Sequence, residues 1–381
     1  MFKRLIFLAV FIILIIPCGF SVVNAEDSNN IDSTVNEIID NLDLNSLEDW
    51  LSQLFEAGEL KDVLLKVMKG QFLSSEELQA TVLNYLRSNV APLMIVFVQL
   101  FSIMLICGIL SSIKPDNGQV QEIVFLVCYC GIGVLSFSIC IKSIKSVNEV
   151  INGLSTQIEC IFPILLTILS AIGAKSSVAV YQPLCAGVVA IIVLIIQQLL
   201  FPLVEACACL SLGASLSERF SLKKFTSFLG DLFKWVIGII IAIFSFFSVV
   251  KSISAAAYDN MSIRALKYTI GNSFPLISGF AKEGVDVVLT SAVLIKNSIG
   301  SVAIILLFFA LLSPFIEVLL LTLFFKFMQA VCEPIADARI LQMLNGFSKV
   351  IGMLATLLAM VFILYFVILI LIISAQNGLV L

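Results

Sequence analysis

The sequence predicts an all-α polytopic membrane protein, with about six transmembrane helices and two re-entrant or interfacial hairpins in a tandem repeat, behind a small N-terminal helical extracytoplasmic domain. Three observations predict it. Hydrophobic residues make up 60% of the 381-residue chain and the mean hydropathy is +1.11, against roughly 45–50% apolar content in soluble domains. The apolar residues gather into runs of about 20, the length that crosses a hydrocarbon core of about 30 Å. Two of those runs close on the same device, Pro-x-x-Glu, in "FPLVEACA" at 201–208 and "SPFIEVLL" at 313–320.

The N-terminal elements come first. Residues 1–25, "MFKRLIFLAVFIILIIPCGFSVVNA", join two basic residues, a short apolar stretch and a small-residue end at Ala25, the pattern of a cleavable signal peptide. The stretch is short for a retained anchor, and "IIPC" lacks the small residues that precede a lipidated cysteine at Cys18. Residues 26–91 carry 13 acidic and 4 basic side chains, a net −9 over 66 residues, which predicts an acidic helical extracytoplasmic domain. Ser46 and Asp49 form a capping pattern ahead of Leu47, Trp50, Leu51, Leu54 and Phe55 on one helix face, and Ser74 with Glu77 opens a second capped helix.

Spans at 92–113 and 123–141 make residues 92–141 a transmembrane hairpin. Membrane repeat 1 covers 148–250 with spans at 183–204 and 229–250; membrane repeat 2 covers 260–373 with spans at 301–325 and 350–373; a tail occupies 374–381. The repeat rests on pairs 112 positions apart: Pro163 with Pro275, Pro202 with Pro314, and Glu205 with Glu317. Segment 160–174 is short and contains Pro163, whereas 273–300 carries Lys282, Glu283 and Asp286, which are costly against lipid. Both are therefore expected as hairpins buried in protein. Two spans per unit make the repeats parallel and put both Pro-x-x-Glu ends on the same side.

Export of the 26–91 domain then places loops 205–234 and 326–349 in the cytoplasm, with Arg219, Lys223, Lys224, Lys234, Lys326, Arg339 and Lys349, in line with the positive-inside tendency. Segments 142–182 and 251–300 hold eight basic residues outside, which matches the cytoplasmic count once Lys114 is added. A crossing at 160–174 gives seven spans and reverses every later loop, including the C-terminus.

The chain contains no histidine, so Ser-His-Asp, Cys-His and zincin chemistry is excluded, and no G-x-x-x-x-G-K-[ST] is present to bind nucleotide. The C-x-C pairs Cys128/Cys130 and Cys207/Cys209 lie in apolar runs and read as small helix residues rather than ligands. "LGD" at 229–231 and "YD" at 258–259 are a poor match to an intramembrane aspartyl protease, since Phe228 stands where glycine is needed and the order is reversed. No enzyme activity, cofactor, metal or nucleic acid is expected. The candidate functional residues are Glu205 and Glu317 with Pro202, Pro314, Pro163 and Pro275. A proline frees the carbonyl four residues back, and a carboxylate three residues on can organise water there. The plainer reading is that both glutamates reach the headgroups or pair with Arg219 or Lys326.

"FPILLTILSAIGAKSSVAVYQP", "FPLISGFAKEGVDVVLTSAVLIKNSIG" and "EPIADARILQMLNGF" resemble the hallmark stretches of the stage III sporulation protein AE family. The resemblance runs the length of the chain. It implies an endospore-forming bacterium and a multi-pass protein of the mother-cell membrane that surrounds the forespore. It further implies a complex with other proteins of the stage III sporulation A operon, including a secretion-type ATPase, and a forespore-membrane channel partner. The family's assembly is a channel or feeding apparatus resembling a secretion-system export platform, and it offers no catalytic residues to carry over. An independent small-molecule permease is the alternative.

Overall fold

The computed structural model describes residues 94–109, 118–171, 175–213, 224–246, 278–334 and 336–374. Apart from a short turn at Glu333 and Pro334 and a bend entering the last helix, these residues are helical, with no strand among them. The signal peptide, the 26–91 domain and Pro275 lie outside the described residues. The helices are α1 (Met94–Ile109), α2 (Gly118–Ala171), α3 (Lys175–Ile195), a π turn (Ile196–Leu200), α4 (Phe201–Gly213), α5 (Lys224–Phe246), α6 (Ser278–Cys332) and α7 (Ala338–Ser374). Among the described residues five helices are long and apolar enough to cross a membrane, and α1 is a shorter apolar helix.

Two expectations are corrected here. Residues 160–171 are the last turns of α2, which continues unbroken for 54 residues through Pro163. One lost backbone donor costs about 3 kcal/mol, and packing of Ile161, Phe162, Leu165 and Leu166 in the core holds the helix across it. Residues 278–300 likewise begin α6, which runs 55 residues into the predicted span without a turn. Over their described residues, 160–171 and 278–300, neither segment is a separate short hairpin. The reason is length: at about 1.5 Å per residue such helices reach about 80 Å, so polar residues can lie beyond the hydrocarbon without any break.

α2, α4 with its π turn, α6 and α7 form the bundle. α2 and α7 run parallel: the Arg339 guanidinium lies 3.8 Å from the Phe125 ring centre, Gly133 packs against Met343, and Ser155 Oγ meets Tyr365 Oη at 2.8 Å. α6 runs antiparallel to α7, with Phe325 on Phe347 (6.3 Å), Phe308 on Phe362 (6.5 Å) and Gly300 against Ile373. α3 and α4 run antiparallel to α2: Gln197 Nε2 donates to Asn152 Oδ1 at 2.7 Å, and Tyr129 Oη donates to the Leu212 carbonyl at 2.5 Å. Close approach comes from small residues, chiefly Gly346 against Ser211, the usual device where lipid gives helices no hydrophobic reason to associate. α1 packs on the Arg339 end through Phe97, 5.7 Å from Phe324 and 5.6 Å from Phe327.

Candidate functional site

α7 supplies the ruler, because residues 350–373 carry no charged side chain and span about 36 Å. Their midpoint falls at Val361 and Phe362. Counting from Ser211 beside Gly346, and from Phe325 beside Phe347, places Glu205 and Glu317 level with α7 residues 352–355. The two glutamates thus share one depth, about 10–15 Å from the midpoint on the Arg339 side, and α4 and α6 run in the same direction. Burial, not depth, separates them: Glu205 is exposed and Glu317 half-buried. Arg219 lies outside the described residues, and Lys326, nine positions along α6, is exposed. The structure brings the pair to one level, and Glu317 makes no ion pair with Lys326; among the described residues the ion pairs are Lys234–Asp231 (2.9 Å) and Arg339–Asp337 (3.4 Å).

The prolines behave differently from one another. Pro202 is exposed and follows the π turn, in which Phe201 donates its N–H to the Ile196 carbonyl, five residues back. The wider turn gives the proline ring room where an α-turn would drive it into the carbonyl four residues earlier. Pro314 is buried and α6 passes through it as a regular helix. Pro163 is exposed within α2, and Thr167 Oγ1 donates to its carbonyl at 2.7 Å. An irregular turn accompanies Pro202 and not Pro314; nothing in the structure explains the difference.

Other polar groups gather at mid-depth. Asn152 and Gln197 are level with Phe362, so the π turn sits at the midpoint, and the buried Ser155–Tyr365 pair lies one turn away. Lys296, fully buried, lies about 20 Å from the midpoint toward the Ser374 end, beyond the hydrocarbon boundary. Sequence reading passed over all of these, although a lone lysine in "VLIKNSIG" and paired glutamines in "LIIQQLLF" were visible breaks in apolar runs. The C-x-C pairs resolve as expected for a helix, where residues two apart face nearly opposite ways: Cys128 and Cys207 are buried, Cys130 and Cys209 exposed.

Residues 59–376, which include every described helix, match the family described as stage III sporulation protein AE (spore_III_AE). The chain belongs to that family. It is also similar to the stage III sporulation protein AE of Bacillus subtilis (strain 168), 24% identical over 338 residues, 87% of this chain and 85% of that protein. No solved structure matches. Membership supports a role in sporulation, and the apolar helices mark the chain as a membrane protein.

Proposed function

We propose that the chain is a membrane subunit of the channel or feeding complex between mother cell and forespore, built like a secretion-system export platform and needed after engulfment. The observation that carries this reading is family membership across the whole helical bundle. The chain would sit as a multi-pass protein in the mother-cell membrane around the forespore. With no nucleotide-binding motif of its own, it would draw energy from a secretion-type ATPase among its stage III A-operon partners, and it would join a forespore-membrane partner across the intermembrane space. No catalytic step is assigned to it. Deleting the gene in its own host should leave engulfment intact and abolish heat-resistant spores; normal spore counts would overturn the reading.

A second reading, an independent small-molecule permease, draws on the π turn and amide pair at mid-depth, where transporters place their sites. Purification separates the two. A permease is active alone in proteoliposomes, whereas a platform subunit is inert without its partners and co-purifies with them.

A further inference from the structure

We propose that one face of α2 lines a water-filled path through the bilayer in the assembled protein, with Glu149, Asn152 and Gln197 at its mid-depth. The inference rests on the channel reading above and deepens it.

Lys142, Lys145, Glu149, Asn152, Thr156 and Glu159 recur every three or four residues, which gathers them on one face about 100° wide. All are exposed except Asn152, which is half-buried, and beyond Val134 no large apolar residue of α2 is exposed. Ser155 opposite Tyr365 fixes the depth of this face, so that Lys142 is level with α7 residue 352, Glu149 with 359 and Glu159 with 369. The whole face therefore lies within the charge-free stretch of α7. At the same depth α3 presents Ile191 (59% exposed) and Leu194 (53% exposed), an ordinary lipid-facing surface.

The ends of the charged face have an escape. The stems of Lys142 and Lys145 can reach the near boundary, and Glu159 lies close to the far one. Glu149 has none, since its short side chain is about 4 Å from the midpoint. A carboxylate there faces the bundle interior, a partner or water, and its exposure removes the first. The amide pair is a second observation. Gln197, exposed at the depth of Asn152, donates to Asn152 Oδ1, so two amide side chains stand beside this face at mid-depth, where lipid offers them no partner. Water needs no matching charges, whereas a tightly packed partner must neutralise Lys145 and Glu149 individually. Among the described residues neither makes an ion pair.

The test is thiol accessibility in membranes from sporulating cells, where the full assembly is present. Exposed Cys130 and Cys209 and half-buried Cys160 are first replaced by alanine. Glu149→Cys and Thr156→Cys are then compared with Ile191→Cys and Leu194→Cys, using a charged, membrane-impermeant methanethiosulfonate and reading the labelled fraction against time. Thr156→Cys is close to isosteric, so it stays informative if Glu149→Cys fails to accumulate. The expected result is labelling of both α2 positions at least tenfold faster than of both α3 positions. Slow labelling at all four overturns the proposal, because α2 then faces protein or lipid. Fast labelling at all four also overturns it, because this depth then lies outside the bilayer. Spore counts of the same strains report separately on the channel reading.

Discussion

Gly346 lies close against Ser211 where α4 meets α7, and adding one methyl group there tests the register from which the depth of Glu205 is read. A Cβ on Gly346 would stand 2.6 Å from Ser211 Oγ, 2.7 Å from its Cβ and 3.4 Å from its Cα. The serine cannot swing clear, since its Cβ is fixed to the helix and its hydroxyl donates to the Cys207 carbonyl at 2.7 Å. Ordinary carbon contact is about 3.5–4.0 Å, so α4 must retreat by about 1 Å. Such overpacking costs about 1–3 kcal/mol, against which alanine's better helix propensity returns about 1 kcal/mol. Gly346→Ala should therefore lose up to about 2 kcal/mol, or about 2–4 °C of melting midpoint for each kcal/mol. The assay is loss of the monodisperse peak of detergent-solubilised protein after stepwise heating. Gly352→Ala on the same helix meets nothing within 4 Å and should be neutral or stabilising. Adding Ser211→Gly should recover Gly346→Ala beyond additivity, because it removes the two nearest atoms. If Gly346→Ala melts with Gly352→Ala, or the double variant shows no coupling, α4 and α7 do not meet where described.

Three further outcomes follow from the same geometry. Tyr365→Phe removes the hydroxyl that meets Ser155 and should cost about 0.6–1.7 kcal/mol, the range for hydrogen bonds between membrane helices, whereas Tyr365→Ala empties a fully buried site and should cost about 3–5 kcal/mol in the same melting assay. Because α4 and α6 run in the same direction, reporters fused at Ser221 and at Asn345 should give the same compartment; opposite compartments would sink the parallel arrangement. Glu317→Gln should keep insertion and protein level yet lower spore counts after engulfment, with Glu205→Gln weaker and the double change worse than either; wild-type counts in the double variant remove both glutamates from function.

The helical, membrane-spanning character was legible because it depends on run length and composition. "VIGMLATLLAMVFILYFVILILII" admits little else, and α7 follows it. The ends of helices were less legible. Lys142 looked like the close of a span because a charge is costly in lipid, but a charge does not stop a helix, and α2 continues past it and through Pro163 to Ala171. The same rule misled at Glu283 and Asp286, where the helix simply runs on into the span, longer than a bilayer is thick. The paired glutamates were found from spacing alone and do share a depth; their unequal burial follows from which face of each helix packs, which a single sequence does not record. The polar face of α2 was in plain view at three- and four-residue spacing. Its meaning was not, because depth comes only from partners, such as Tyr365 for Ser155 and Gln197 for Asn152.

Those partners set a mismatch with a consequence for how the protein works. The most apolar part of α2, 123–141, stands level with the charged start of α7, around Arg339 and Lys349, not with its charge-free stretch. There it exposes Ile123, Leu126, Val127 and Val134, alongside Met94, Ile95 and Val98 of α1. Sliding α2 by about 30 Å would hide its charges from the bilayer and sink its apolar start into it. The slide would also break Ser155–Tyr365, Asn152–Gln197, Arg339–Phe125 and the seat of Met343 on Gly133. Packing wins that contest, and it leaves one end of α2 too apolar for water and the other too polar for lipid. A permease acting alone gains nothing from such a helix, since each surface costs free energy until something covers or hydrates it. A subunit held in a larger assembly resolves both ends at once: neighbours cover the apolar end, and a shared aqueous space hydrates the polar one. The register of α2 is thus what the proposed platform would need, with both surfaces met by neighbours and by water.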